Sequence, residues 1–130
     1  MLMFKDNLGN YKLKIAFDFD DTLTDPLFFE LAGRLISRGH DVWIMTARSS
    51  YEQYLEACQK FNIPPKPESE RNVDLLEMAK KLAIEDKIIY TACEDKKDFF
   101  FAHGFDILFD DDAEWHCNPI CEAGGIAIHI

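Results

Sequence analysis

The sequence predicts an α/β fold: three layers, with a mainly parallel five-stranded sheet between helices. Two observations carry this. Short apolar runs alternate with amphipathic, capped segments along residues 13–130, the pattern of parallel strands joined by crossover helices. Three of the apolar runs stop abruptly at an acid or a threonine, as buried strands do when they feed a site at their carboxyl ends. A chain of 130 residues reads as one domain, 1–130. Area scaling gives roughly 7,000 Å² exposed when folded against roughly 22,000 Å² extended, enough burial to fold without disulfides or a structural metal.

The elements follow in order. Met3-Phe4-Lys5 and Tyr11-Lys12-Leu13 flank the turn-rich Asp6-Asn7-Leu8-Gly9-Asn10, a hairpin signal. The first core strand covers 13–17 and runs into Asp18. A helix is expected over 26–38, with Asp25 as cap and Pro26 at its first position. Phe28, Leu31, Ala32, Leu35 and Ile36 form its apolar stripe, and Gly39 ends it. Residues 41–46 make the second strand. Ser50 and Gln53 form a capping box for the next helix, whose buried face is expected to be Tyr51, Tyr54, Leu55 and Cys58. Pro64-Pro65-Lys66-Pro67 breaks the chain.

A third helix carries Leu75, Leu76, Met78, Ala79, Leu82 and Ala83, and the third strand spans 87–91. A short helix over 96–103 ends at Gly104. The fourth strand, 106–109, runs into Asp110-Asp111-Asp112. A weakly patterned helical segment at 113–122 precedes a fifth strand at 125–130.

Charge and cysteines narrow the function. The net charge of −10 repels phosphate backbones, which disfavours nucleic acid as a partner without excluding a phosphate in one pocket. No apolar run approaches a bilayer span, so no membrane partner is expected. The first residues lack the basic stretch and long apolar run of a secretory signal. Cys58, Cys93, Cys117 and Cys121 contain no CxxC pair. Reduced thiols in a cytoplasmic protein are expected.

The polar residues are informative by position. Asp18, Asp20, Asp21 and Thr22 follow strand one, Thr46 ends strand two, and Asp110 and Asp111 follow strand four. Five or six carboxylates and two hydroxyls thus meet at one sheet edge. Two carboxylates about 4 Å apart repel by about 4 kcal/mol at an effective dielectric near 20. The cluster needs protons or a cation, and hard oxygen donors select Mg²⁺. Such an ion with hydroxyls and a lysine nearby forms a phosphate site. Asp18 is placed as a nucleophile. Asp20, two residues on, points elsewhere as the chain leaves the strand and is placed as acid and base.

Phe17-Asp18-Phe19-Asp20-Asp21-Thr22-Leu23-Thr24 resembles the first motif of the haloacid dehalogenase (HAD) superfamily, DxDx(T/V) after an apolar strand. Trp43-Ile44-Met45-Thr46 resembles its second motif, and Ile107-Leu108-Phe109-Asp110-Asp111 its fourth. Lys96 or Lys97 fits the third motif, a lysine before the fourth strand; spacing to Asp106 favours Lys96. The resemblance spans residues 13–130. It implies a Rossmann-like sheet and a Mg²⁺-dependent phosphatase or phosphotransferase. Asp18 is then nucleophile and metal ligand, and Asp20 is acid/base with its backbone carbonyl on the metal. Thr46, Lys96 and Thr22 hold the phosphoryl group, and Asp110 and Asp111 complete the metal site, directly or through water. Most members carry glycine where Asp21 stands. The connections 24–41 and 91–106 are too short for a cap domain, so an open site is expected, with a nucleotide, sugar phosphate or macromolecular phosphate as substrate.

Several of these residues carry nothing alone. Asp110-Asp111-Asp112 without strand one is a solvated turn. Arg48 reads as a phosphate contact or as a surface ion pair. His116, Cys117 and Cys121, with His103 or His129, lack the tight spacing of a zinc site and read as packing. Phe99-Phe100-Phe101 reads as core filling, with a partner surface if Phe101 is exposed. The alternative to an enzyme is a Mg²⁺- or phosphate-binding scaffold on the same fold. A response-regulator receiver fails on position, because strand three ends at Thr91-Ala92-Cys93 rather than at an aspartate.

Overall fold

The computed structural model describes residues 11–130. The first arm and the turn of the expected hairpin, residues 3–10, lie outside them, and its second arm, residues 11–13, is not in a strand. The strands are β1 (Lys14–Phe17), β2 (Asp41–Thr46), β3 (Ile88–Tyr90), β4 (Ile107–Asp110) and β5 (Ala127–His129). They form one sheet in the order β3-β2-β1-β4-β5, and every pairing is parallel. β1 is central: Phe17 lies opposite Ile44 on one side and Phe109 on the other. After β1 the chain moves to β2 and β3, then crosses back to β4. The order therefore reverses between β1 and β4, and the crevice where doubly wound sheets bind ligands opens at that point.

The helices are α1 (Pro26–Ser37), α2 (Tyr51–Lys60), α3 (Val73–Lys81), α4 (Lys96–Ala102) and α5 (Asn118–Glu122). Alternation along β1 separates two cores. Ile15 and Phe17 face Ala32 of α1 with Leu75 and Ala79 of α3. Ala16 faces the other way, with Met45, Leu108, Phe100 of α4 and Ile120 of α5. Phe17 and Phe109 stack across the β1–β4 pair with centroids 4.8 Å apart. No cap unit is inserted after β1 or β3. Among the described residues, no helix is long and apolar enough to cross a membrane.

Local chemistry sets the helix starts. Asp25 accepts the Leu27 N–H at 2.9 Å, with Pro26 first in α1. Ser50 and Gln53 exchange both hydrogen bonds of the capping box at α2. Burial of α2 departs from expectation. Only Cys58 is buried, and Tyr51, Tyr54 and Leu55 are not. The two tyrosines instead hold the proline-rich loop: Tyr51 donates to the Lys66 carbonyl and Tyr54 accepts the Lys66 N–H. α3 ends at Lys81, and Leu76 and Ala83 are exposed. The weak 113–122 segment divides into a wide turn, Ala113–Cys117, and α5. Phe100 is core, while Phe101 is 45% exposed.

Candidate active site

Three strand ends build the site. Asp18 follows β1, and its N–H is tied to the Phe109 carbonyl of β4 at 2.9 Å. This bond fixes the start of the acidic loop beside Asp110, the last residue of β4. Asp18 and Asp110 are buried, and one carboxylate oxygen from each of Asp18, Asp110 and Asp111 lies within 4.8 Å of the others. Thr22 is fully buried, with Oγ1 3.4 Å from Asp18 Oδ2.

Lys96, the first residue of α4, is fully buried. Its ammonium donates to Asp18 Oδ1 and to Asp110 Oδ2, each at 2.7 Å. Lys97 is only half-buried. Lys96 thus offsets part of the charge that two buried carboxylates would otherwise concentrate. The Asp112 N–H adds a bond to Asp110 Oδ1 at 2.9 Å. His116 Nδ1 stands 3.2 Å from Asp110 Oδ2, without hydrogen-bond geometry.

The two buried carboxyls are driven apart. Burial pushes Asp18 up, the Lys96 charge pulls it back and the Asp110 charge adds to the rise, so that it titrates at about 7. Burial also opposes ionisation of Asp110, but the His116 ring, Lys96 and the Asp112 N–H outweigh it and hold this carboxyl below the usual range. Opposed shifts in neighbouring carboxyls mark sites built for charge chemistry. Burial, with the Asp110 charge, lifts the Cys117 thiol to about 11, so Cys117 is no nucleophile.

Asp20 and Asp21 leave this cluster. The backbone turns at Asp21, which has φ 60 and ψ 12. That left-handed conformation is free to glycine and tolerated by aspartate better than by most residues, which explains how aspartate stands where the resembling motif has glycine. The Asp20 carboxylate, half-exposed, receives two N–H bonds from Arg48, at 2.9 and 2.7 Å. Of the four residues expected around a metal, three bring their carboxylates together; Asp20, expected there through its backbone carbonyl, turns its carboxylate to Arg48.

Thr46, at the end of β2, is fully buried, and its Oγ1 accepts the Arg48 N–H at 3.2 Å. Thr91 beyond β3 locks this edge, donating through N and Oγ1 to the Thr46 carbonyl at 2.8 and 3.2 Å. The zinc alternative gains no support: the cluster able to hold a metal among the described residues is Asp18, Asp110 and Asp111. All four cysteines are free thiols.

The sheet order and this carboxylate cluster can be set against the motifs the sequence resembles. Sheet and cluster match the haloacid dehalogenase superfamily. No family model, curated protein or solved structure matches the chain. In HAD terms, the cluster, with Asp18 and Asp110 buried and Asp111 beside them, is the arrangement of an aspartyl-phosphate site, and its compact acids are positioned for nucleophilic and metal chemistry, so the chain is an enzyme of hydrolase type. Its donor set, three carboxylates without sulfur, fits a hard divalent cation.

The sequence reading missed His116 beside Asp110, and it gave Arg48 as a phosphate contact or a surface ion pair without naming its partners, Asp20 and Asp74. The first had a signal, since His116 follows the acidic strand end by six residues. The choice of Asp20 as partner had none, because it depends on side chains meeting 28 positions apart.

Proposed function

We propose that the protein is a Mg²⁺-dependent phosphatase of the cytoplasm, a single HAD-type domain that hydrolyses phosphomonoesters through an aspartyl-phosphate on Asp18. The observation that carries this is the buried ammonium of Lys96 set between the buried Asp18 and Asp110 at 2.7 Å from each, with the Asp111 carboxylate beside them. A structural ion pair needs one acid; three acids converging at the carboxyl edge of a parallel sheet are costly unless they serve a cation and an anion.

Asp18, Asp110 and Asp111, with the Asp20 backbone carbonyl, would hold the divalent ion. When bound it supplies positive charge that keeps Asp18 ionised and offsets the substrate's dianion. An Asp18 oxygen attacks phosphorus as the ester P–O bond breaks, and its electron pair leaves on the alcohol oxygen. Asp20 gives that oxygen a proton. Asp20 then takes a proton from water while the water oxygen attacks phosphorus. The Asp18–phosphorus bond breaks, restoring the carboxylate and releasing inorganic phosphate. Thr46 and Thr22 hydroxyls and the Lys96 ammonium hold the phosphoryl oxygens. The absence of a cap leaves the site open to a phosphorylated nucleotide, sugar or macromolecule.

Asp18→Asn should abolish Mg²⁺-dependent phosphate release from p-nitrophenyl phosphate. Undiminished release by this variant would refute the nucleophile assignment.

A further inference from the structure

The guanidinium of Arg48 is committed before any substrate arrives. It makes two bonds to Asp20, at 2.9 and 2.7 Å, and two to Asp74 near the start of α3, at 2.8 and 3.0 Å. It also lies 4.8 Å over the Phe19 ring, and its own backbone N–H is bound to Thr46 Oγ1. Its Nε–H and three Nη–H donors are thereby used out of five, so little of it remains to bind a phosphoryl group. The arrangement joins three elements: the acidic loop after β1, the end of β2 and α3. We propose that Arg48, braced by Asp74, is the positioning residue that fixes the orientation of the Asp20 carboxylate for proton transfer. This inference rests on the phosphatase reading, in which Asp20 is the acid.

The reasoning is geometric. Asp20 sits on a short loop, half-exposed, and among the described residues Arg48 supplies every hydrogen bond its carboxylate makes. Unheld, such a side chain samples several rotamers. A two-pronged guanidinium contact fixes the carboxylate plane and leaves a further lone pair on each oxygen for a proton in transit. A transient latch would need a loosely held partner. Arg48 is instead immobilised by the ring, by Asp74 and through its backbone, as supporting groups around a working side chain are. Lysine would keep the charge but not the fork.

The test compares kcat/KM for phenyl phosphate, whose leaving oxygen needs a proton, with that for p-nitrophenyl phosphate, whose leaving oxygen does not. This parameter covers only the steps through departure of the leaving group, and the ratio of the two esters is independent of the folded fraction. Arg48→Lys is expected to lower kcat/KM for phenyl phosphate by about 10–100-fold and to lower that for p-nitrophenyl phosphate much less. Asp74→Asn should shift the ratio in the same direction by a smaller factor. In an Asp20→Asn background, Arg48→Lys should leave the ratio unchanged, because the effect passes through Asp20. Equal losses on both esters, a gain on phenyl phosphate, or a ratio shift that persists without Asp20 would each overturn the proposal while leaving the phosphatase reading intact. A wild-type protein that releases phosphate from neither ester would overturn both.

Discussion

Replacing Lys96 by methionine isolates the charge at the centre of the site. The ammonium is fully buried and lies 2.7 Å from an oxygen of Asp18 and 2.7 Å from one of Asp110. At an effective dielectric near 20, each contact is worth about 6 kcal/mol of gross attraction, most of it cancelled by the cost of drying three ions. Methionine nearly preserves the volume of the stem, so little cavity penalty is added. The remaining loss comes from leaving two buried carboxylates without their cation, about 3–5 kcal/mol at neutral pH. Proton uptake limits that loss. Asp18 already titrates at about 7 with Lys96 beside it, and without Lys96 its pKa must rise further. The deficit should therefore grow above neutral pH, where the wild-type Asp18 is ionised and the variant still holds the proton, and should shrink by about 1 kcal/mol or more toward pH 5. Urea denaturation of both proteins at pH 5 and pH 8, with chelator, measures this. Excess Mg²⁺ should restore part of the stability, since a cation replaces the lost ammonium. A deficit under about 1 kcal/mol at pH 8, or one independent of pH, would refute the reasoning.

Without divalent ion, wild-type stability should carry a negative contribution from Asp18 as pH rises. Its folded pKa, about 7, lies above the 3.8 of an unperturbed aspartate, so the folded state binds the extra proton between those values. That contribution falls by up to roughly 4 kcal/mol from pH 4 to pH 7 and is flat above. The difference between wild type and Asp18→Asn in denaturation at stepped pH should show this slope, and Mg²⁺ should flatten it; a difference that rises with pH counts against it. Thr46→Val should lower kcat/KM for p-nitrophenyl phosphate by about 10²-fold or more, the scale of one lost transition-state donor, alongside a loss of about 1–3 kcal/mol in urea denaturation from the Arg48 N–H left without its acceptor; undiminished turnover would remove Thr46 from phosphate binding. Gly125→Ala tests packing far from the chemistry. Its Cβ would meet Ile120 Cγ2 at 2.7 Å and Phe100 Cε1 at 2.9 Å, so a loss of about 1–3 kcal/mol in denaturation is expected, and a neutral result would show that this core yields.

The strands around the site were legible because they are buried on both faces. Such strands are written as plain apolar runs, and the acids that end β1 and β4 stand out against them. Caps were legible for a different reason. Asp25-Pro26 and Ser50 with Gln53 work within one turn of chain, so their geometry is local. The face of α2 was not, because Tyr51 and Tyr54 are as much hydrogen-bonding groups as apolar ones, and the loop at Lys66 claims their hydroxyls. The split of the 113–122 segment was equally hidden: Asp112 caps Trp115 at 2.9 Å while Pro119 starts a second helical piece. Within the site, the meeting of Asp18 with Asp110 follows from sheet order. That Asp20 points elsewhere follows from the chain leaving the strand, but its final setting does not. It depends on the left-handed turn at Asp21 and on Arg48 reaching across from the neighbouring strand end.

The most direct test of the central claim is to catch the phosphoryl group on the protein. Enzyme in molar excess, with Mg²⁺ and radiophosphate-labelled p-nitrophenyl phosphate, would be quenched in acid within the first turnover and mapped by peptide. The account predicts hydroxylamine-labile label on the peptide carrying Asp18. Release of phosphate with no labelled protein, or label on another residue, would contradict it.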